Sequence, residues 1–279
     1  MNNIKKSKID LLIHLIVKVN KDDIFALASQ LAYYLVLSFF PFLVFLLTLV
    51  GFLNLNSKEV LEGLKTILPL SVLELTETTI VEVLQSQNTG LLGVSIILSI
   101  WSASSGFRAV IKGIHKAYNI ADERSYIKRA TISFVSTITL AITVIMALLL
   151  LVFGKVIGIY LVETFPFGNA IGVVWNILRY GIIVFVLILV FAAIYRYTPS
   201  KQLKWKEVLP GAVFSTVGWL MISIIFSFYI NNYNNYSRFY GSLAAVFILM
   251  IWLFLSSIIF IFGVEINSVL DINRQLVKK

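Results

Sequence analysis

Apolar runs separated by short polar segments set the plan of this chain. They cover residues 30–53, 91–107, 132–153, 173–195, 208–230 and 241–264, each 17 to 24 residues long. A helix needs about 20 residues to cross a hydrocarbon core of about 30 Å, so each run has the length of one crossing. In front of them Ile9, Leu12, Ile13, Ile16 and Val17 recur at helical spacing beside Lys5, Lys6, Lys8 and Lys18. Residues 1–29 therefore predict a basic amphipathic segment, either lying on the membrane surface or packed against the ends of the bundle. Between the first two runs, residues 54–90 carry Glu59, Glu62, Glu74, Glu77 and Glu82 against Lys58 and Lys65. Leucines at helical spacing there predict two short amphipathic helices broken near Pro69, forming a cap. The expected fold is all-α: a polytopic bundle of six transmembrane helices in one integral membrane domain over residues 1–279.

Composition strengthens this plan. The chain is 59% hydrophobic and 13% charged, with a mean hydropathy of +0.91, too few polar residues to cover a soluble domain of this size. The net charge of +9 would point to nucleic acid if it were clustered on a soluble surface, but the Lys and Arg residues fall in short segments between apolar runs. Short basic loops stay on the cytoplasmic side of a membrane. Lys18 and Lys21, then Arg108 to Arg129, then Arg196 to Lys206, then Arg274, Lys278 and Lys279 place both termini and three segments inside. The acidic cap lies outside. The start of the chain lacks a small-residue cleavage site and does not read as a removed signal peptide. Cysteine is absent, and the two histidines, His14 and His115, lie far apart, so no thiolate metal site, cysteine nucleophile or histidine acid–base pair is expected.

A few polar or helix-distorting residues interrupt the spans. Pro41 removes a backbone donor inside the first and predicts a kink. The second is apolar through Trp101, turns small and polar at Ser102-Ala103-Ser104-Ser105-Gly106 and runs into a basic loop that begins at Arg108. Ser133, Ser136, Thr137 and Thr143 share one face of the third, where small hydroxyl residues let helices approach and hydrogen-bond across the contact, or alternatively line a polar path. Gly154 and Gly158 make a small-xxx-small pair near its far end. Arg179 enters the fourth span by about 9 Å, which requires it to snorkel, pair or face a cavity. Pro210-Gly211 opens the fifth, where proline is tolerated in a first turn. The sixth ends in Glu265-Ile266-Asn267. Counted from the outer boundary, Arg108 and Glu265 both reach the inner one, about 26 Å and about 36 Å along their helices. The two are expected to meet there as a charge-assisted pair, with Gln30 joining them and Lys112 competing for the carboxylate.

These residues resemble the YihY/BrkB family of bacterial inner-membrane proteins, once labelled ribonuclease BN. The resemblance rests on Ala28-Ser29-Gln30-Leu31-Ala32-Tyr33-Tyr34 leading to Ser38-Phe39-Phe40-Pro41, on Trp101-Ser102-Ala103-Ser104 followed by Arg108, on Pro210-Gly211, and on Tyr240-Gly241-Ser242 leading through Trp252 to Gly263-Val264-Glu265-Ile266-Asn267. It covers most of the chain and implies a six-helix polytopic fold in the bacterial plasma membrane.

Function follows less directly. Nuclease chemistry needs convergent carboxylates on a metal or a histidine pair, whereas here the acidic residues concentrate in the outer cap and His115 stands among lysines. No Gly-x-x-x-x-Gly-Lys phosphate loop is present. No enzyme activity, cofactor, metal or nucleic-acid partner is expected. The expected partners are membrane lipids, with a lipid or small solute as substrate. The leading expectation is a transporter or flippase-like protein for a lipid, amphiphile or small solute, with Gln30, Pro41, Trp101, Ser104, Arg108, Arg179, Tyr240, Gly241, Glu265 and Asn267 as candidates for a polar path or gate. The alternative is a non-transporting scaffold for envelope proteins. A transporter predicts a polar cavity entering from one side, a scaffold a dry packed bundle.

Overall fold

A computed structural model describes residues 8–51, 89–164, 168–233 and 244–278. They form α1 (Lys8–Lys21), α2 (Ile24–Gly51), α3 (Thr89–Ala117), α4 (Tyr126–Thr164), α5 (Gly168–Tyr197), α6 (Trp205–Tyr233) and α7 (Ala244–Lys278), with no strand among the described residues. Within them, four stretches are long and apolar enough to cross a membrane: Tyr126–Ala147, Ile171–Tyr197, Trp205–Ile230 and Val246–Arg274. Ile24–Phe39 is apolar but shorter. The chain is a multi-pass helical membrane protein. The expected cap, and the candidates Tyr240 and Gly241 at the start of the sixth apolar run, lie outside the described residues.

The six long helices close a ring. Going round it, α3 packs on α2, α2 on α7, α7 on α6, α6 on α5, α5 on α4, and α4 again on α3, while α1 lies against α7. Among the described residues, two apolar clusters hold the ring. One joins Leu27 and Leu31 of α2, Ile111 and Ile114 of α3, Tyr195 of α5, Val208 of α6 and Ile261 of α7. The other joins Ala32, Phe226, Ile230, Ile248, Leu249 and Trp252. Around the outside, Ile97, Ile177, Ile224 and Ile225 are each at least 65% exposed, as expected where lipid rather than water is the solvent.

Three helices overrun their predicted ends: α4 spans Tyr126–Thr164 instead of 132–153, and α3 and α7 also run on. The basic residues expected in a loop after Arg108 continue α3 to Ala117, because Arg, Lys and Ala are good helix formers and nothing there breaks the helix. The stop comes at Asn119, whose φ of 53° suits a left-handed C-terminal cap. The Ile120 N–H donates to the His115 carbonyl (2.9 Å) and the Asn119 N–H to that of Lys116 (3.0 Å), the paired bonds of a Schellman motif. Likewise α7 runs past 264 to Lys278, so Glu265 and Asn267 sit inside a helix instead of at its end.

The hydroxyl stripe of α4 also differs from expectation. Ser133, Thr137 and Thr143 donate to the carbonyls of Arg129, Ser133 and Thr139 at 2.8–2.9 Å. Each finds its partner four residues back on its own helix, always within reach, so the stripe serves close packing without bonding across. Gly154 and Gly158 seat α5 side chains: Gly154 lies under Arg179, Gly158 under Trp175, and the Trp175 indole donates to the Gly154 carbonyl at 2.6 Å. Arg179 is buried there, with its guanidinium 5.3 Å from the Tyr180 ring centre.

Candidate functional site

The basic end of the bundle carries a cleft of about 520 Å³. Arg108, Lys112 and Lys116 line it from successive turns of α3, and Arg129 faces them from the start of α4. Ile111, Ile120 and Tyr126 supply an apolar side, and His115 and Asp122 also line it. No carboxylate among the described residues forms an ion pair with any of these four cations. Arg108 thus reaches a cleft, not Glu265.

Beneath the cations a buried polar group ties three chain segments together. The His115 Nδ1–H donates to the Ile111 carbonyl at 2.9 Å. Its Nε2 receives the Ser200 backbone N–H at 3.0 Å and the Arg124 Nη2–H at 3.1 Å. Since both of those groups can only donate, Nε2 carries the lone pair and the ring is the neutral Nδ1–H tautomer. Burial pushes His115 below its ordinary range; the Asp122 charge opposes that shift and the Arg124 charge adds to it. Arg124 also donates from Nε to Asp122 (2.7 Å) and from Nη1 to the Thr198 carbonyl (3.0 Å). Burial alone would raise the Asp122 carboxyl, but the hydrogen bonds and charge of Arg124 hold it below the usual carboxylate range. Asp122 and Arg124 neutralise each other, and the cleft wall keeps its own positive charge.

A second polar group centres on α7. Glu265 is fully buried, and its Oε2 pairs with Lys18 of α1. Lys18 also donates to Asp22 (2.7 Å) and to the carbonyl of Ala117, which accepts from Ser268 as well (3.1 Å). One ammonium thus fastens α1 to α7 and caps the C-terminal end of α3, where a cation meets the negative end of the helix dipole. The expected Arg108–Glu265 pair is corrected by this contact. Lys18 reaches the carboxylate because α1 folds back over α7, a long-range turn that helix-depth arithmetic does not contain. Gln30, half-buried on α2, takes no part in it.

The model of the virulence factor BrkB family matches residues 15–279. The chain belongs to that family. A Bacillus subtilis (strain 168) protein named, provisionally, ribonuclease-like protein YfkH is 40% identical over 249 residues, 89% of this chain and 90% of that one. Shorter matches reach proteins named UPF0761 membrane proteins. One, from Alteromonas mediterranea, is 35% identical over 28% of this chain and 26% of its own. Another, from Xanthomonas campestris pv. campestris (strain B100), is 33% identical over 27% and 18%. No solved structure matches.

In this BrkB family member, most residues that carry the resemblance sit where helices touch. Ala28, Leu31 and Ala32 are buried on α2, and Ser38 packs against Gly106 of α3. Pro41 lies half-buried within α2, which stays helical through it. Ser104 is buried and bonds its own Ile100 carbonyl at 2.7 Å, whereas Trp101 is 60% exposed. Asn267 clamps the start of α6, accepting the Gly211 N–H at 2.7 Å and donating to the Val208 carbonyl at 3.0 Å. The missing N–H of Pro210 frees the Lys206 carbonyl, which Arg274 takes at 3.2 Å. Gly211 and Gly263 let α6 and α7 cross so closely that a Cβ on Gly211 would strike the Gly263 carbonyl oxygen. Next to this crossing the Tyr195 hydroxyl bonds Ser215 (2.7 Å) and the Phe260 carbonyl (2.9 Å).

Of the ten candidates, then, Arg108 lines the cleft, Glu265 and Asn267 are structural clamps on α7, and Arg179 lies far along the chain against α4. Sequence reasoning missed Lys112, Lys116 and Arg129 as cleft walls, although the spacing of four between 108, 112 and 116 marks one helix face. It also missed Lys18, His115 and Ser200, whose roles depend on contacts between distant segments.

Proposed function

We propose that this protein is a transporter or flippase-like carrier for a lipid, amphiphile or small solute, that its basic end faces the cytoplasm, and that the cleft is the inner mouth of the path. The observation that carries this reading is the cleft itself, about 520 Å³ lined by four cations that pair with no carboxylate among the described residues, since a scaffold calls for a packed, dry end. Ligand sites of membrane carriers are built from charged groups facing a cavity, where their cost is offset by water or by the ligand. The cleft lies between the end of α3 and the start of α4, two members of a packed helix ring whose elements can shift against one another.

We also propose that the chain has no nuclease activity, despite the name of its Bacillus relative. His115 spends both ring nitrogens on structural bonds, and Asp122 is held by Arg124, so neither is placed to act on a substrate. The test is reconstitution of the purified protein in liposomes with a panel of fluorescent lipids and trapped solutes. Flux that falls in Arg108→Ala supports transport; no flux across the panel overturns it. RNA cleavage by the same preparation would overturn the second proposal.

A further inference from the structure

Resting on the cleft just described, we infer that it seats the phosphate-bearing head group of an anionic amphiphile, whose chains lie along the α3 face that continues from Arg108 through Ser105 and Trp101 to Ile97. Topology alone explains why Lys and Arg occur at this end of the bundle. It does not explain why four of them converge on one cavity. Arg108, Lys112 and Lys116 stand one helical turn apart, and like charges at that spacing repel and weaken a helix. Arg129 adds a fourth charge from across the cleft. Nearby, Arg124 is neutralised by Asp122, and the neutral His115 gives the cleft a rigid floor without charge of its own. An anion entering from outside relieves the repulsion. A phosphate ester fits because Arg and Lys together offer forked and point donors to its several oxygens.

The amphiphile follows from what flanks the charge. Residues 97, 101, 105, 108 and 112 fall at steps of three and four, one stripe of α3. Trp101 stands about 10 Å from Arg108 along the axis, and Trp101 and Ile97 are 60% and 69% exposed. On the other side Tyr126 and Ile127 are 62% and 76% exposed. Tyr126, lining the cleft, belongs at the level of lipid head groups, and Trp101, about two turns deeper, presents its ring to the chains. A free inorganic anion has no use for apolar flanks on both sides of its site.

The test measures binding to the purified full-length protein in mild detergent, with three probes: short-chain phosphatidic acid, short-chain phosphatidylcholine and inorganic phosphate. Phosphatidic acid is expected to bind most tightly. Lys112→Gln/Lys116→Gln is expected to weaken it roughly thirty-fold, from the attraction an anionic head group feels for each cation near a surface. Lys204→Gln, outside the cleft, should leave it unchanged. Trp101→Ala should weaken phosphatidic acid and not inorganic phosphate. Equal binding of phosphatidic acid and inorganic phosphate overturns the amphiphile. Equal binding of phosphatidylcholine, or an unaffected double lysine variant, overturns the site. Because binding is read without flux, charge-selective binding together with no transport in liposomes sinks the transport reading and keeps the site, and the converse result does the reverse.

Discussion

Lys18 and Glu265, 247 residues apart, form an ion pair in which the Glu265 side chain is fully buried and the Lys18 side chain is 16% exposed. Removing one member strands the other away from water. Lys18→Met is expected to lower stability by about 3 kcal/mol, whereas Lys18→Met/Glu265→Met should regain most of the loss, because the penalty belongs to the uncompensated charge. A double-mutant cycle of unfolding in detergent measures this. Additive losses would show that the two groups are not coupled.

Asn267 presents a different kind of dependence. Its side chain satisfies a donor and an acceptor of the α6 backbone, so Asn267→Leu leaves both buried and unpaired. The expected loss is about 2 kcal/mol or more. Asn267→Asp keeps the acceptor for the Gly211 N–H but sets an oxygen against the Val208 carbonyl, and should rescue little. Gly211→Ala should fail to accumulate as folded protein, since its methyl group meets the α7 backbone. Yield after size-exclusion chromatography and the unfolding midpoint check all three.

The depressed affinity of His115 for protons has a defined sign. In the unfolded chain the imidazole protonates near its ordinary value of about 6.5, while in the folded protein it stays neutral to lower pH. The unfolded state therefore binds more protons in that window, and stability falls as pH drops below about 6.5 toward the depressed folded value. Above it the contribution is fully present. His115→Asn should remove this slope between pH 7 and pH 5 in thermal unfolding, at about those pH values. Nitrogen NMR of the ring should show the proton on Nδ1 near neutral pH. A proton on Nε2 would contradict the assigned bonds.

Orientation is open to a direct test because the chain has no cysteine. A cysteine replacing Lys65 should react with an impermeant reagent in intact cells, and one replacing Lys201 should react only after the membrane is opened. The opposite pattern would turn the protein over and move the cleft to the outer face.

Hydropathy alone marks α4 to α7 as membrane-length helices, because in lipid every backbone polar group must be satisfied within its own segment, so a crossing is written locally in some twenty consecutive residues. The family was legible for a related reason: its motifs are short and mark helix contacts, such as Pro210-Gly211 and Gly263 to Asn267. What those residues do was not legible. Arg108 and Glu265 are matched in depth along their helices, yet depth says nothing about rotation about the helix axis, and Arg108 faces the cleft while Glu265 faces Lys18. The end of α3 is set locally, by the left-handed Asn119, but its consequence is not local. Carrying the helix to Ala117 places Lys112 and Lys116 on the face of Arg108 and brings His115 to Ser200. Sequence periodicity determines which residues share a face of one helix. Only the packing of α1, α3, α4 and α7 against one another decides which faces meet, because that choice depends on contacts between residues up to hundreds of positions apart.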